Sequence, residues 1–296
     1  MQLVVILNGT RQKVERFKSW RVGLENRHAL DIRATTYPGH AAELAYKAAE
    51  ECPDGILAAG GDGTLHQVLN GLMDFRRQHP EKKAPTLGIV PLGTGNDFAR
   101  ICGIKDISAL LDRLANGGTP TDCGVIKDSE GQERHFINVA SIGMGPDVVR
   151  RLESDSRWLG PDLTYLRAIV KSFFGYQPEE ITLQDGDGNW SGRIRALAVA
   201  NGRSFGSGLC VAPDAEPDDG ILQTFVAGDV PLTTFMYLLG RIKQGHRISH
   251  ARARYGKGRT VSLTGASDIL MEADGELVCR LPAEISLRPH AIRFFR

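Results

Sequence analysis

Gly55-Ile56-Leu57-Ala58-Ala59-Gly60-Gly61-Asp62-Gly63-Thr64-Leu65-His66-Gln67-Val68-Leu69-Asn70-Gly71-Leu72 is the stretch that decides the fold. Its first five residues form a short apolar run of the length and character of a buried strand. After the glycine loop Gly60-Gly61-Asp62-Gly63-Thr64, the residues Leu65, Val68, Leu69 and Leu72 recur at spacings of three and four, one apolar face of a helix, with Gly71 placed near its end. Glycines without Cβ atoms let backbone N–H groups come close to an anion, and the helix that follows adds its positive end and its unpaired first-turn donors. A nucleotide phosphate suits such a loop.

Working outward, residues 86–100 repeat the plan. Thr86-Leu87-Gly88-Ile89-Val90 reads as a strand and Leu92-Gly93-Thr94-Gly95-Asn96-Asp97 as a second glycine loop opening a helix. Either loop alone is common turn chemistry. As a pair, about thirty residues apart, they can hold one nucleotide between them. Strands are expected at residues 3–7, 31–35, 55–59 and 87–90, with a helix at 41–50 rich in strong helix formers. This alternation predicts β-α-β units and a parallel sheet. The texture changes near Gly117-Gly118-Thr119-Pro120, and beyond Asp122 the chain reads mainly as strands, at 123–126, 135–140, 180–183, 193–200, 221–227, 261–263 and 284–288. Turn signals such as Asp185-Gly186-Asp187-Gly188-Asn189 separate them, and helical patterns interrupt at 163–174 and 232–242. A separate antiparallel domain is expected there.

Composition narrows the function classes. With 296 residues, 42% of them hydrophobic, the chain is long enough for two domains and a sizeable core. Lys plus Arg at 36 nearly balance Asp plus Glu at 35, so no global field argues for nucleic acid. Five scattered cysteines, never in C-x-x-C spacing, fit reduced core thiols in a cytosolic protein rather than a zinc site. No apolar run reaches the roughly 18 residues of a membrane span, and the first residues lead straight into a strand with no signal-peptide pattern.

GGDGTLHQVLNGL (residues 60–72) and GIVPLGTGNDFAR (88–100) together resemble the two signature segments of the diacylglycerol kinase catalytic domain, the group that includes sphingosine kinases and the bacterial YegS-like lipid kinases. Upstream, Thr35-Thr36-Tyr37-Pro38-Gly39-His40-Ala41 is similar to the family's T-x-x-x-G-[HD]-A segment, and Ile6-Leu7-Asn8-Gly9 to its first strand end. Downstream, Pro213-Asp214-Ala215-Glu216-Pro217-Asp218-Asp219-Gly220-Ile221-Leu222 resembles its P-x-A-x-x-D-D-G-x-L segment and Asp274-Gly275-Glu276 its D-G-E. The resemblance implies a Rossmann-like N-terminal domain, similar to that of NAD kinases and phosphofructokinases, a C-terminal β-sandwich, and an active site in the cleft between them. On this reading residues 1–122 form the nucleotide-binding α/β domain, to which a strand at 289–296 returns, and residues 123–288 the β-rich lipid-substrate domain.

The implied activity is transfer of the γ-phosphate of ATP, with Mg2+ or another divalent cation, to a hydroxyl of a membrane lipid, diacylglycerol or a related glycerolipid. Phosphoryl transfer asks for positioning and charge compensation. The resemblance assigns the phosphate cradle to Gly60, Gly61, Asp62, Gly63 and Thr64, with Leu65 and His66 beginning the helix, Thr94 from the second loop, and Asn8 and Thr35 beside the nucleotide. It assigns proton acceptance to Glu276 within a D-G-E that also supplies Asp274. A carboxylate suits that task, although Asp-Gly by itself also reads as a hairpin turn. It gives Asp219 and the backbone carbonyls of Glu216 and Ile221 to a structural or regulatory metal, distinct from the ion that accompanies ATP. Asp62 and Asp97, carboxylates beside phosphates, are expected to bind a cation, cap a helix or contact a sugar hydroxyl.

No G-x-x-x-x-G-K-[ST] lysine is present, so backbone donors and Mg2+ are expected to do more of the neutralising. Two departures from the family pattern mark this chain. The first strand ends in Asn8-Gly9-Thr10 where many members have N-P-x-S-G, which leaves Arg11 and Lys13 as the basic candidates near the phosphates. Gln67 stands where the family commonly has Glu. Seven basic residues and no acidic one within 241–259 form either a solvated face or a surface for transient peripheral contact with an anionic membrane. The expected location is therefore cytoplasmic, at the inner face of the membrane, with a homodimer allowed and nucleic acid not expected as a partner. The rival readings are an NAD kinase, which shares G-G-D-G-T, and a non-catalytic nucleotide or lipid sensor.

Overall fold

The computed structural model describes residues 1–154 and 161–296, which divide into two compact units, Met1–Thr121 with His290–Arg296, and Asp122–Pro289. In the first unit the order is β1 (Gln2–Leu7), α1 (Arg11–Glu25), β2 (Ala29–Ala34), α2 (His40–Glu50), β3 (Gly55–Gly60), α3 (Asp62–Gln78), β4 (Thr86–Pro91), α4 (Asp97–Ile101) and α5 (Ile107–Asn116), leading into β5 (Thr119–Asp128). The strands pair in parallel in the order β4-β3-β1-β2. β1 and β3 lie between neighbours and are apolar along almost their whole length, the pattern of parallel strands covered on both faces. Helix α2 packs with α3, and α1 with α5.

Two local expectations are corrected here. Helix α3 begins at Asp62 rather than after Thr64, so the glycine loop is shorter than its sequence suggests. Gly71 lies well inside α3 rather than at its end. A Cβ there would stand 2.1 Å from the Ala42 carbonyl oxygen, so the glycine marks where α2 and α3 touch backbone to backbone.

The second unit continues with β6 (Glu133–Phe136), β7 (Val139–Gly143), α6 (Met144–Ser154), α7 (Pro161–Gly175), β8 (Glu179–Asp185), β9 (Gly188–Ala200), β10 (Leu222–Gly228), α8 (Leu232–Lys243), β11 (Ala253–Gly258), β12 (Thr260–Gly265), β13 (Leu270–Ala273), β14 (Glu276–Arg280) and β15 (Ala283–Phe294). The last strand ends in the first unit, where Phe294 pairs in parallel with Leu87 of β4. Antiparallel pairing runs β14-β13-β7-β9-β8-β12-β15, and β10, paired with β11, also pairs with β9. Side chains alternate along β9: Leu197 and Val199 join one core with Ile142, Leu183 and Ile285, while Ala198 and Ala200 join another with Ile169, Phe173, Phe225 and Ile242. One sheet thus serves two cores.

Residues 135–140, expected as one strand, are two. The break falls at Ile137 and Asn138, whose N–H groups leave the strand ladder to donate to the Asp274 carboxylate. Strands β11, β13 and β14 were not anticipated. Gly256 in β11 is required because a Cβ would lie 2.3 Å from Asp185 Oδ2, and that carboxylate, with no exposed side-chain surface, accepts from Arg254 (2.7 and 2.9 Å) and from Thr224 Oγ1 (2.8 Å). Arg254 therefore turns inward, and Arg247 pairs with Asp214 and stacks on Tyr255 at 4.4 Å, so two of the seven cations in 241–259 are engaged within the unit. Among the described residues no disulfide forms; Cys102 and Cys123 are buried, Cys210 and Cys279 half-buried and Cys52 exposed, so only two are core thiols. Burial pushes the Cys102 thiol up to about 12. Among the described residues no helix is long and apolar enough to cross a membrane.

Candidate active site

The carboxyl ends of β1 to β4 meet at one edge of the first sheet, where ligands of open parallel sheets characteristically bind. Asn8, just past β1, donates its N–H to the Ala59 carbonyl (2.9 Å) and its side-chain amide to Thr64 Oγ1 (3.4 Å). Thr35, just past β2, receives the Gly9 N–H on its hydroxyl at 3.0 Å, and a Cβ on Gly9 would lie 1.9 Å from the Thr35 carbonyl oxygen. Leu92 N–H donates to the Gly60 carbonyl at 2.7 Å, tying the second glycine loop to the first.

The two loops touch at Gly61 and Gly93. A Cβ on Gly93 would come within 2.5 Å of Gly61 Cα. The second loop is closed by Asn96, which sits at φ 51°, accepts from Gly93 N–H (2.8 Å) and donates to the Gly93 carbonyl (2.9 Å). At its tip Thr94 is exposed. Because α3 starts at Asp62, the N–H groups of Asp62, Gly63 and Thr64 form its first turn, the donors that no helix carbonyl can reach. Leu65 donates its N–H to Gly61 O and buries its side chain, and His66 is buried beside Asn70, which donates to the His66 carbonyl at 2.9 Å. Both side chains are buried. Asp62 accepts the Phe98 N–H at 3.4 Å, which caps α4, and Asp97 is 4% exposed at the start of that helix.

The cradle fits a phosphate chain: glycines admit the close approach, and first-turn donors face the same edge. The replacement Gly93→Ala is expected to separate the loops and lower kcat/KM for ATP about a hundredfold. Titration calorimetry with ATP checks the binding part, and unchanged affinity would show that the loop contact is dispensable.

Basic side chains reach the second loop from α1. Lys13 and Arg16, one turn apart, both donate to the Leu92 carbonyl, Arg16 at 2.8 Å. Arg11 is exposed. Arg16 was missed because α1 has no apolar motif to announce it; its spacing of three from Lys13 was the available signal.

In the second unit Ala273 and Glu276 are paired across a two-residue turn whose central residues, Asp274 and Gly275, have φ 52° and 88°, the type I′ pattern. The hairpin reading and the D-G-E reading thus describe the same object. The Asp274 carboxylate is buried and accepts backbone N–H groups from Ile137 (2.9 Å), Asn138 (3.0 Å) and Val139 (3.2 Å). Buried Glu272 accepts from Ser141 Oγ at 2.5 Å and from Gly275 N–H at 3.0 Å. Neither Glu272 nor Ser141 was singled out from sequence. The two anchored carboxylates hold the turn so that Glu276, half-buried, heads β14.

The loop before β10 gathers Asp122, Glu216, Asp218 and Asp219. Asp219 accepts the Ile221 N–H at 2.9 Å, Asp122 the Gly220 N–H at 2.8 Å, and Glu216 pairs with Arg203 through its side chain. Burial above all, with the neighbouring charges of Asp122, Asp218 and Glu216, raises the Asp219 carboxyl above its usual range, against the Ile221 hydrogen bond. A hard cation would relieve that repulsion, although among the described residues no group of three or more acidic, histidine or cysteine side chains is placed to hold one. Asp122, part of this loop's bonding, had no motif to reveal it.

Residues 2–126 match the profile of the diacylglycerol kinase catalytic domain, and residues 139–296 that of the YegS C-terminal NAD kinase beta sandwich-like domain. The chain is 31% identical over 254 residues to a diacylglycerol kinase of Bacillus subtilis (strain 168), covering 85% of this chain and 80% of the relative. It is 33% identical over 227 residues to a probable lipid kinase YegS-like protein of Chromohalobacter salexigens, covering 75% and 70%. A solved diacylglycerol kinase from Bacillus anthracis str. Sterne shares the fold over 99% of this chain and 96% of its own, with a TM-score of 0.70 at 18% identity.

A parallel-sheet unit with two converging glycine loops, joined to a β-sandwich-like unit, defines a two-domain kinase. The chain belongs to the diacylglycerol kinase catalytic domain family and is a lipid kinase. Kinase chemistry of this family implies ATP as phosphoryl donor, and the NAD kinase alternative is not favoured by these relatives.

Proposed function

We propose that the protein phosphorylates the free hydroxyl of diacylglycerol or a related glycerolipid, with MgATP as donor, at the inner face of the membrane. The observation that carries the reading is the anchored hairpin: a carboxylate placed at the first residue of a strand by a turn whose Asp274 carboxylate and Gly275 N–H are both held by the fold. In the reaction the lipid oxygen attacks the γ-phosphorus, its proton passes to the Glu276 carboxylate, and the bond from the γ-phosphorus to the bridging oxygen breaks to leave ADP. The first unit holds the triphosphate through the N–H groups of residues 61–64, with Lys13 and Arg16 beside the second loop to offset its charge. Asn8, Thr35 and Thr94 line the same edge. A divalent cation held by Asp219 with the carbonyls of Glu216 and Ile221 would supply charge compensation to the acidic loop. Asp274 serves as a positioning residue rather than as a second base.

Transfer of label from γ-³²P-ATP to mixed micelles of diacylglycerol, phosphatidylglycerol, ceramide or sphingosine, with NAD as a soluble control, tests the reading. Label in diacylglycerol is the expected result. Label in ceramide or sphingosine alone would move the substrate class, and label in NAD alone would overturn the proposal.

A further inference from the structure

Helix α7 has two faces. Ala168, Ile169, Ser172 and Phe173 are buried, while Leu166, Arg167, Lys171 and Phe174 are exposed, Phe174 to 66%. Phe173 packs on Phe235 of α8 at 4.9 Å between ring centroids, so the two helices touch through these rings. Along α8 only Ile242 is buried among the described residues, and Tyr237 is 66% exposed. Single exposed apolar side chains are ordinary on a protein surface. Here the surroundings make them informative. Across α7 and α8 the one acidic residue in the sequence is Asp162, at the start of α7, while Arg167, Lys171, Arg241 and Lys243 lie on these same two helices. An exposed aromatic and a pair of cations on each of two touching helices, with more basic than acidic residues on both, are complementary to an anionic surface that is apolar just beneath its charges.

We infer that the outer side of α7 and α8 docks on an anionic lipid bilayer, Phe174 and Tyr237 entering the boundary between headgroups and acyl chains while Arg167, Lys171, Arg241 and Lys243 meet lipid phosphates. The inference rests on the reading of this protein as a kinase of membrane lipids and names the surface that brings it there. It also narrows the contact expected from residues 241–259: Arg247 and Arg254 are engaged with Asp214 and Asp185, while Arg241 and Lys243 lie on α8.

Flotation with vesicles of phosphatidylcholine alone, and of phosphatidylcholine with phosphatidylglycerol, tests it on the full chain. The wild type is expected to float with the phosphatidylglycerol vesicles, and less so as salt rises. The double variant Phe174→Ser/Tyr237→Ser is expected to lose about tenfold or more in partition. Arg167→Gln/Lys171→Gln should weaken binding and flatten its salt dependence. Phosphorylation of a short-chain, water-dispersed diacylglycerol should be unchanged in both, which shows that the variants fold. Wild-type-like flotation of the aromatic variant would overturn the inference. So would a wild type that ignores vesicles but sediments as a dimer made monomeric by the same substitutions. A wild type that floats as described yet labels no lipid would leave the docking surface standing and remove the substrate assignment instead.

Discussion

Glu276→Gln is expected to lower turnover on diacylglycerol by about two to four orders of magnitude while leaving ATP affinity and folding at wild-type levels. The amide matches the carboxylate in size but accepts no proton at neutral pH. Glu276 is only half-buried at the head of β14, so the exchange should disturb little of the packing. Glu272 and Asp274, which hold the turn, are untouched by it. The check is a pair of measurements on one preparation, calorimetric ATP binding and steady-state turnover. Turnover within threefold of wild type would take Glu276 out of the proton-accepting role. A matching loss of ATP affinity would mean instead that the residue contributes to nucleotide binding.

The second large effect is on stability. Asp274→Ala strips the acceptor from three buried backbone N–H groups at once, those of Ile137, Asn138 and Val139. An unsatisfied buried donor costs about 1 to 3 kcal/mol, and alanine at positive φ adds about 1 kcal/mol more. Allowing for water reaching part of the opened site, the total loss should be on the order of 4 kcal/mol, a large share of a domain's typical stability. Asp274→Asn tolerates the left-handed conformation and keeps one acceptor oxygen, so it should cost roughly half as much. Urea unfolding of the three proteins decides the matter. An alanine variant within about 1 kcal/mol of wild type would show that the carboxylate does not anchor the hairpin.

The parallel half of the fold was legible because its signals are local. Apolar runs of five residues, glycine punctuation and a spacing of three and four are each properties of a few neighbours in sequence, and they point to β1, β3, β4, α2 and α3. What escaped was local structure set by distant partners. Residues 135–140 look like one continuous strand until Asp274, more than a hundred residues away, takes the N–H groups at its middle. Strand β11, with Arg254, Gly256 and Lys257, reads as part of a solvated basic face until Asp185 supplies the buried charge that makes Arg254 and Gly256 necessary. Gly71 looks like a helix terminator until Ala42 arrives against its Cα.

For the site, the amino-acid sequence by itself determined the residue types and the order in which they come: two glycine loops each after an apolar run, an acidic turn ahead of β10, and Asp-Gly-Glu ahead of β14. These are short-range features, since a glycine loop between strand and helix presents backbone donors wherever the chain places it. Only the tertiary structure decided which groups meet. It brought Asn8, Thr35, Gly61 and Gly93 to one edge of the sheet, turned Lys13 and Arg16 toward the second loop, buried Leu65 and His66, and made Asp274 an anchor rather than a free acid. The physical reason is that hydrogen-bond partners, close approach and burial are properties of pairs of segments far apart in the chain, and no local pattern encodes the second member of the pair.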